Sequence, residues 1–179
     1  MKAVWLEVPS EFLDQRRSYG RDKRDEVWDG VLHMVPPART NHVDIQQRLS
    51  FVLKAIAERR GLRAYFEMGL FDPAVPEYEN YRVPDLSVVA PKHVSKRGIE
   101  GRAELVIEVL SPNDESREKV PFYERMGVRE VWLLDRERRT IEVFALAPPS
   151  LGIEVRIAGA DLVIRDGADI YTIDLRDVV

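Results

Sequence analysis

The chain of 179 residues has no cysteine and only three histidines. The first absence removes disulfides and thiolate chemistry, and the second leaves too few imidazoles for a zinc centre, since His33 and His93 have no partners at ligand spacing. No apolar run approaches the roughly 20 residues of a membrane span, and Met1 to Glu7 lack the apolar core of a secretory signal. There is no Gly-x-x-x-x-Gly-Lys loop to cradle a nucleoside triphosphate, and no Gly-x-Ser-x-Gly elbow surrounds Ser111, whose place beside Pro112 suits a turn. An excess of basic charge is also missing. The net charge of −4 argues against a protein that coats nucleic acid, without excluding an enzyme that acts on it. These absences together favour the cytoplasm. At 45% hydrophobic and 32% charged, the chain is expected to fold as one domain, residues 1–179.

What is present is a series of short elements with no internal repeat. Residues 10–25 are polar and arginine-rich and predict a short helix on the body. Asp29-Gly30 between apolar runs predicts a hairpin over 27–35. After Pro36-Pro37, Ile45, Leu49, Val52, Leu53 and Ile56 recur at helical spacing, which predicts a helix over 41–59 capped by Thr40 or Asn41 and stopped before Gly61. Strands are predicted over 63–71, 82–90 and 104–111, with Pro73, Pro76 and Asn80 breaking the first gap. A short helix over about 120–126 ends at Gly127. A second hairpin joins 129–134 to 140–146 across 135–139, and the tail reads as strands over 153–157 and 162–175 with turns at Gly159 and Gly167. This order predicts an α/β or α+β fold around a mixed sheet.

Two of these strands carry the chemistry. Alternation places Val83, Asp85, Ser87 and Val89 on one face, and Glu104, Val106, Glu108 and Leu110 on one face of the other. Glu108 then sits between aliphatic side chains, which raises a lone carboxyl's pKa. If the strands are neighbours, Asp85 and Glu108 converge, and two such oxygen ligands suit Mg2+ or Mn2+. Acids on strands also end at sheet edges, solvated or paired with arginine, and spacing alone does not separate these roles. Glu67 is a third acid on a neighbouring strand, Glu26 approaches from the hairpin, and His42 stands at a helix start. Each has a packing, capping or solvated role as its alternative. The basic loop with Lys92, Lys96, Arg97 and Arg102 joins the two acidic strands. That loop, Arg59-Arg60 and the run from Arg21 to Arg24 are candidates for contact with a phosphate backbone, or simply solvated. Trp132 and Phe144 suit a core or a dimer face.

The motifs Val83-Pro84-Asp85, Leu105 to Pro112 around Glu108, then Lys119, Tyr123, Gly127-Val128 and Glu130 to Asp135, resemble the PD-(D/E)xK nuclease superfamily. More specifically they resemble the large bacterial Uma-type family of restriction-endonuclease-like proteins, long catalogued as a domain of unknown function. The hairpin from Glu26 to Leu32 and His42 fit the same family, and the resemblance covers about 24–146. It implies a restriction-endonuclease-like fold: a central mixed sheet flanked by helices, with an added N-terminal hairpin and C-terminal strands. It implies a metal-dependent endonuclease hydrolysing DNA, with Mg2+ or Mn2+ held by Asp85 and Glu108 and with Lys119 orienting water or stabilising charge. A homodimer would suit cutting of two strands. The rival reading is a nuclease fold without catalysis that uses the acidic cleft for binding or not at all. The superfamily's lysine position, two residues after the second acid, is Leu110 here, so catalysis depends on Lys119. Pro121 just beyond it predicts a helix starting at about Val120, with Lys119 in the preceding loop.

Overall fold

The computed structural model describes residues 9–20, 22–75, 79–112 and 115–176; the N-terminal segment Met1 to Glu7, Arg21 and Pro76 lie outside them. Helix α1 (Ser10–Ser18) precedes the hairpin of β1 (Glu26–Trp28) and β2 (Val31–His33). Asp29 and Gly30 both take positive φ (48° and 85°), as a two-residue turn matched to strand twist requires. Helix α2 (Thr40–Glu58) follows, buried along Ile45, Gln46, Leu49, Leu53 and Ile56. The remaining elements are β3 (Arg63–Phe66), β4 (Leu70–Phe71), β5 (Tyr81–Arg82), β6 (Leu86–Val89), β7 (Ile99–Glu100), β8 (Leu105–Val109), α3 (Ser116–Arg125), β9 (Glu130–Asp135), β10 (Thr140–Ala145), β11 (Glu154–Ala158), β12 (Asp161–Asp166) and β13 (Asp169–Asp174).

The central sheet has the order β10-β9-β8-β6-β3. It is mixed: β8 and β9 run parallel, joined by α3 as a β-α-β crossover, and the other neighbours are antiparallel. Alternation gives it two apolar faces. Leu86, Val88, Leu105, Ile107, Val109, Trp132 and Leu134 pack with α2 and with Leu162, Ile164 and Ile173 of the sheet β11-β12-β13. Val89, Val106, Val131 and Leu133 face the other way, toward Phe122 and Tyr123 of α3 and Leu70 and Ile99 of the third sheet, β2-β1-β5-β4-β7. Two covered faces account for the nearly continuous apolar runs of β8 and β9.

Three expectations are corrected. The strand predicted over 63–71 is two strands in different sheets, because Glu67 turns the chain with φ 48°. The strand predicted over 82–90 is also divided, between β5 and β6, with Pro84 unable to donate to a ladder. Helix α3 begins at Ser116, one turn before the predicted start, so Lys119 lies inside it. Pro121 removes one helical hydrogen bond. The pairing of Lys119 described below and the burial of Ser116 hold the first turn in place regardless.

Candidate active site

The register of β6 on β8 fixes the site. Leu86 pairs with Ile107 and Ser87 with Val106, so one step further places Asp85 across from Glu108 on the same face. The Val109 amide donates to Asp85 Oδ2 at 2.6 Å and locks this end of the strand pair. Both acids are buried, Glu108 at 2% and Asp85 at 4% exposure.

Helix α2 supplies the next contacts. His42 and Gln46 are four residues apart on its core-facing stripe, and Asp85 Oδ1 meets His42 Nε2 at 3.2 Å and the Gln46 amide at 2.7 Å. The other ring nitrogen of His42 stands 3.5 Å from the Ser111 hydroxyl. Arg24 brings a guanidinium to the same Oδ1 at 3.1 Å. Its Nε contacts Glu67 at 3.2 Å.

On α3, Lys119 and Tyr123 share a face, again four residues apart. Lys119 Nζ lies 3.2 Å from Glu108 Oε1 and 2.8 Å from Glu26 Oε1. The Tyr123 hydroxyl donates to the same Glu108 oxygen at 2.5 Å. Glu26, 1% exposed, also accepts the Val83 amide at 2.8 Å and the Trp28 indole at 2.7 Å. Arg82 is buried between the rings of Trp28 and Phe122, 4.5 and 4.1 Å from their centroids, and bridges the hairpin to α3.

Buried together, these groups divide their charges unequally. Burial pushes the Glu108 carboxyl up to about 8, and Asp85 and Glu26 push the same way against Lys119 and Tyr123. Burial acts on Asp85 too, but His42, Lys119 and the Val109 amide outweigh it and hold that carboxyl below its ordinary value. For Lys119, burial is outweighed by Glu108, Glu26 and Asp85, so its ammonium persists above the usual lysine range. Burial, then Glu108, pushes the Tyr123 hydroxyl well above the ordinary tyrosine value, so it stays a donor. The cluster sets three acids against the Lys119 ammonium on one side and the Arg24 guanidinium on the other.

The structure thus brings Asp85, Glu108, Lys119, Glu26 and His42 together, with Glu67 joined through Arg24. It does not bring the basic loop. Lys92, Lys96, Arg97 and Arg102 follow the end of β6 and precede β8, at the opposite end of the strand pair from the carboxylates. Arg97 pairs with Glu100, and Arg102 is 3.8 Å from Glu104. Arg59 and Arg60 are held by Asp166. His33 contacts Glu115 at 2.7 Å and stacks on Trp28. Gln46, Arg82 and the individual role of Arg24 were missed. A glutamine between Ile45 and Leu49 on an apolar helix face is the signal that could have found Gln46.

Architecture and site together define a protein of the restriction-endonuclease-like fold. The model of the Uma2 family, described as "Putative restriction endonuclease", matches residues 9–168, and the chain belongs to that family. A crystal structure from Anabaena variabilis, of a "putative nuclease belonging to DUF820", superposes with a TM-score of 0.56 at 19% identity, over 84% of this chain and 76% of that one. A DrdV–DNA complex solved by cryo-electron microscopy reaches a TM-score of only 0.35 at 13% identity, over 94% of this chain and 12% of that one, and carries no weight here. No curated protein matches the sequence.

Proposed function

We propose that the protein is a metal-dependent endonuclease that hydrolyses DNA phosphodiester bonds at the Asp85–Glu108–Lys119 cluster. The observation that carries this reading is the position of Lys119 Nζ, 3.2 Å from Glu108 and 2.8 Å from Glu26, beside a carboxylate pair set by strand register. A lysine supplied from α3 takes the place that Leu110 leaves open in the strand.

The donor set fits a hard divalent cation. Asp85 and Glu108 offer carboxylate oxygens, and the Glu108 carboxyl is raised first by burial and then by Asp85 and Glu26, whose charge a cation would offset. Among the described residues, no three His, Cys, Asp or Glu side chains gather as a metal-holding group. Mg2+ keeps several waters and needs only one or two carboxylates. When bound, such an ion supplies Lewis-acid polarisation and charge neutralisation.

The chain's own residues perform the remaining tasks. Lys119, kept as an ammonium, donates to the attacking water or to a phosphoryl oxygen as charge develops. Glu26 and Tyr123 fix the positions of Lys119 and Glu108. His42, between Asp85 and Ser111, suits a phosphate oxygen. Two copies acting on the two strands would form a twofold dimer.

The opposing reading, a nuclease fold without catalysis, is favoured by one observation: both Asp85 oxygens are engaged by protein groups, three of them crowded on Oδ1. Nicking of supercoiled plasmid with Mg2+ or Mn2+ separates the two. Cleavage by wild type that is lost in Asp85→Ala and Glu108→Ala supports the enzyme. Equal inactivity of wild type and Asp85→Ala across several substrates overturns it.

A further inference from the structure

A carboxylate accepts about four hydrogen bonds, and Asp85 already has four. Oδ1 takes Gln46 at 2.7 Å, Arg24 at 3.1 Å and His42 at 3.2 Å, and Oδ2 takes the Val109 amide at 2.6 Å. Oδ1 is thus crowded by three donors while Oδ2 keeps one site, so a cation that binds through Oδ1 must displace a donor. Val109 is backbone within β8, and Gln46 and His42 rise from the packed face of α2. Arg24 differs from the other three. It comes from the turn between α1 and β1, its side chain is 20% exposed, and its second partner, Glu67, is 27% exposed.

The turn itself is anchored independently. Asp25 binds the Arg16 guanidinium at 3.1 Å and the Val35 amide at 3.0 Å, so the Arg24 side chain can swing away while its backbone stays. Glu67, the other jaw of the clamp, adopts φ 48°, a conformation that a residue with a Cβ holds only where its surroundings enforce it. Its amide donates to the Asp85 carbonyl at 3.1 Å, which ties the clamp to the strand bearing the acid.

We infer that Arg24 is the built-in cation on the Asp85 side of the acidic cluster, and that a divalent metal binds by displacing it from Asp85 Oδ1. Resting on the metal site proposed above, this makes Arg24 a residue that sets metal affinity. While it bridges Asp85 and Glu67 the cluster is partly neutralised, and metal must compete with a charge-assisted hydrogen bond. Glu67 keeps the guanidinium after displacement and is not a metal ligand.

The test is calorimetric titration of Mn2+ into the full chain at neutral pH. Removing a charge-assisted competitor predicts Mn2+ binding roughly tenfold tighter in Arg24→Gln than in wild type. Arg24→Lys keeps the charge without the bridging fork and falls between them. Arg17→Gln removes an equal charge from the neighbouring helix, where Arg17 pairs with the exposed Asp14 at 3.2 Å, and leaves affinity unchanged. A merely damaged site would bind more weakly. Equal or weaker binding by Arg24→Gln, or equal tightening by Arg17→Gln, overturns the inference. If Arg24→Gln fails to fold, Arg24→Lys decides by the same criterion. If wild type and both Arg24 variants all fail to bind Mn2+, the metal site itself is refuted, and this inference falls with it.

Discussion

Replacing Glu108 with glutamine should stabilise the metal-free protein, and the gain should grow with pH. Burial raises the carboxyl from 4.5 to about 8. Between those limits the folded state binds a proton that the unfolded chain has released, so wild-type stability falls as pH rises from about 4.5 to about 8 and then levels. At 1.36 kcal/mol per pKa unit, the penalty is about 3 kcal/mol at pH 7 and about 4 kcal/mol at pH 8, as upper values. Glutamine has the shape of the protonated acid, and its carbonyl can still accept from Tyr123 and Lys119. For a chain of this size 1 kcal/mol moves Tm by about 2–4 °C, so Glu108→Gln should melt up to roughly 10 °C above wild type at pH 7. The two Tm values should approach each other toward pH 4.5. Thermal melts in chelator across pH 4.5–8.5 make the measurement. A variant no more stable than wild type at pH 8, or a difference independent of pH, would refute the charge accounting of the site.

Other perturbations probe the scaffold. Lys119→Met leaves the buried Glu26 carboxylate without its cation and should cost about 3–5 kcal/mol near neutral pH by urea denaturation. An unchanged urea midpoint would mean that Lys119 does not hold Glu26. Gly98 has φ 153°, and an added Cβ would lie 2.5 Å from the Gly69 carbonyl oxygen and 2.8 Å from the Phe71 ring. Gly98→Ala should therefore destabilise by about 2 kcal/mol or more, read as a lower Tm, because the backbone on both sides is fixed by the β4–β7 pairing.

The sequence disclosed the candidate cluster better than the contacts that support it. Asp85 and Glu108 were legible because alternation assigns faces within a strand, and because the resemblance extended from Val83 to Asp135. The hairpin at Asp29-Gly30 and the helix carrying His42 were legible from local turn chemistry and helical spacing. The misreadings were tertiary in origin. Pro121 suggested a late helix start, whereas Lys119, held by acids from two other strands, stabilises an earlier one. The basic loop looked adjacent to the acids because it joins their strands, but antiparallel pairing puts the connection at the far end. Arg24 looked like one of a solvated run, and only the three-dimensional approach of Glu67 and Asp85 singles it out.

The most direct test of the central claim is anomalous diffraction from a crystal soaked in Mn2+. The account predicts a single strong peak at roughly 2.0–2.3 Å from carboxylate oxygens of both Asp85 and Glu108, with Lys119 remaining beside Glu108 and no peak in Asp85→Asn. A wild-type crystal with no peak at this pair, or with its manganese bound elsewhere, would contradict it.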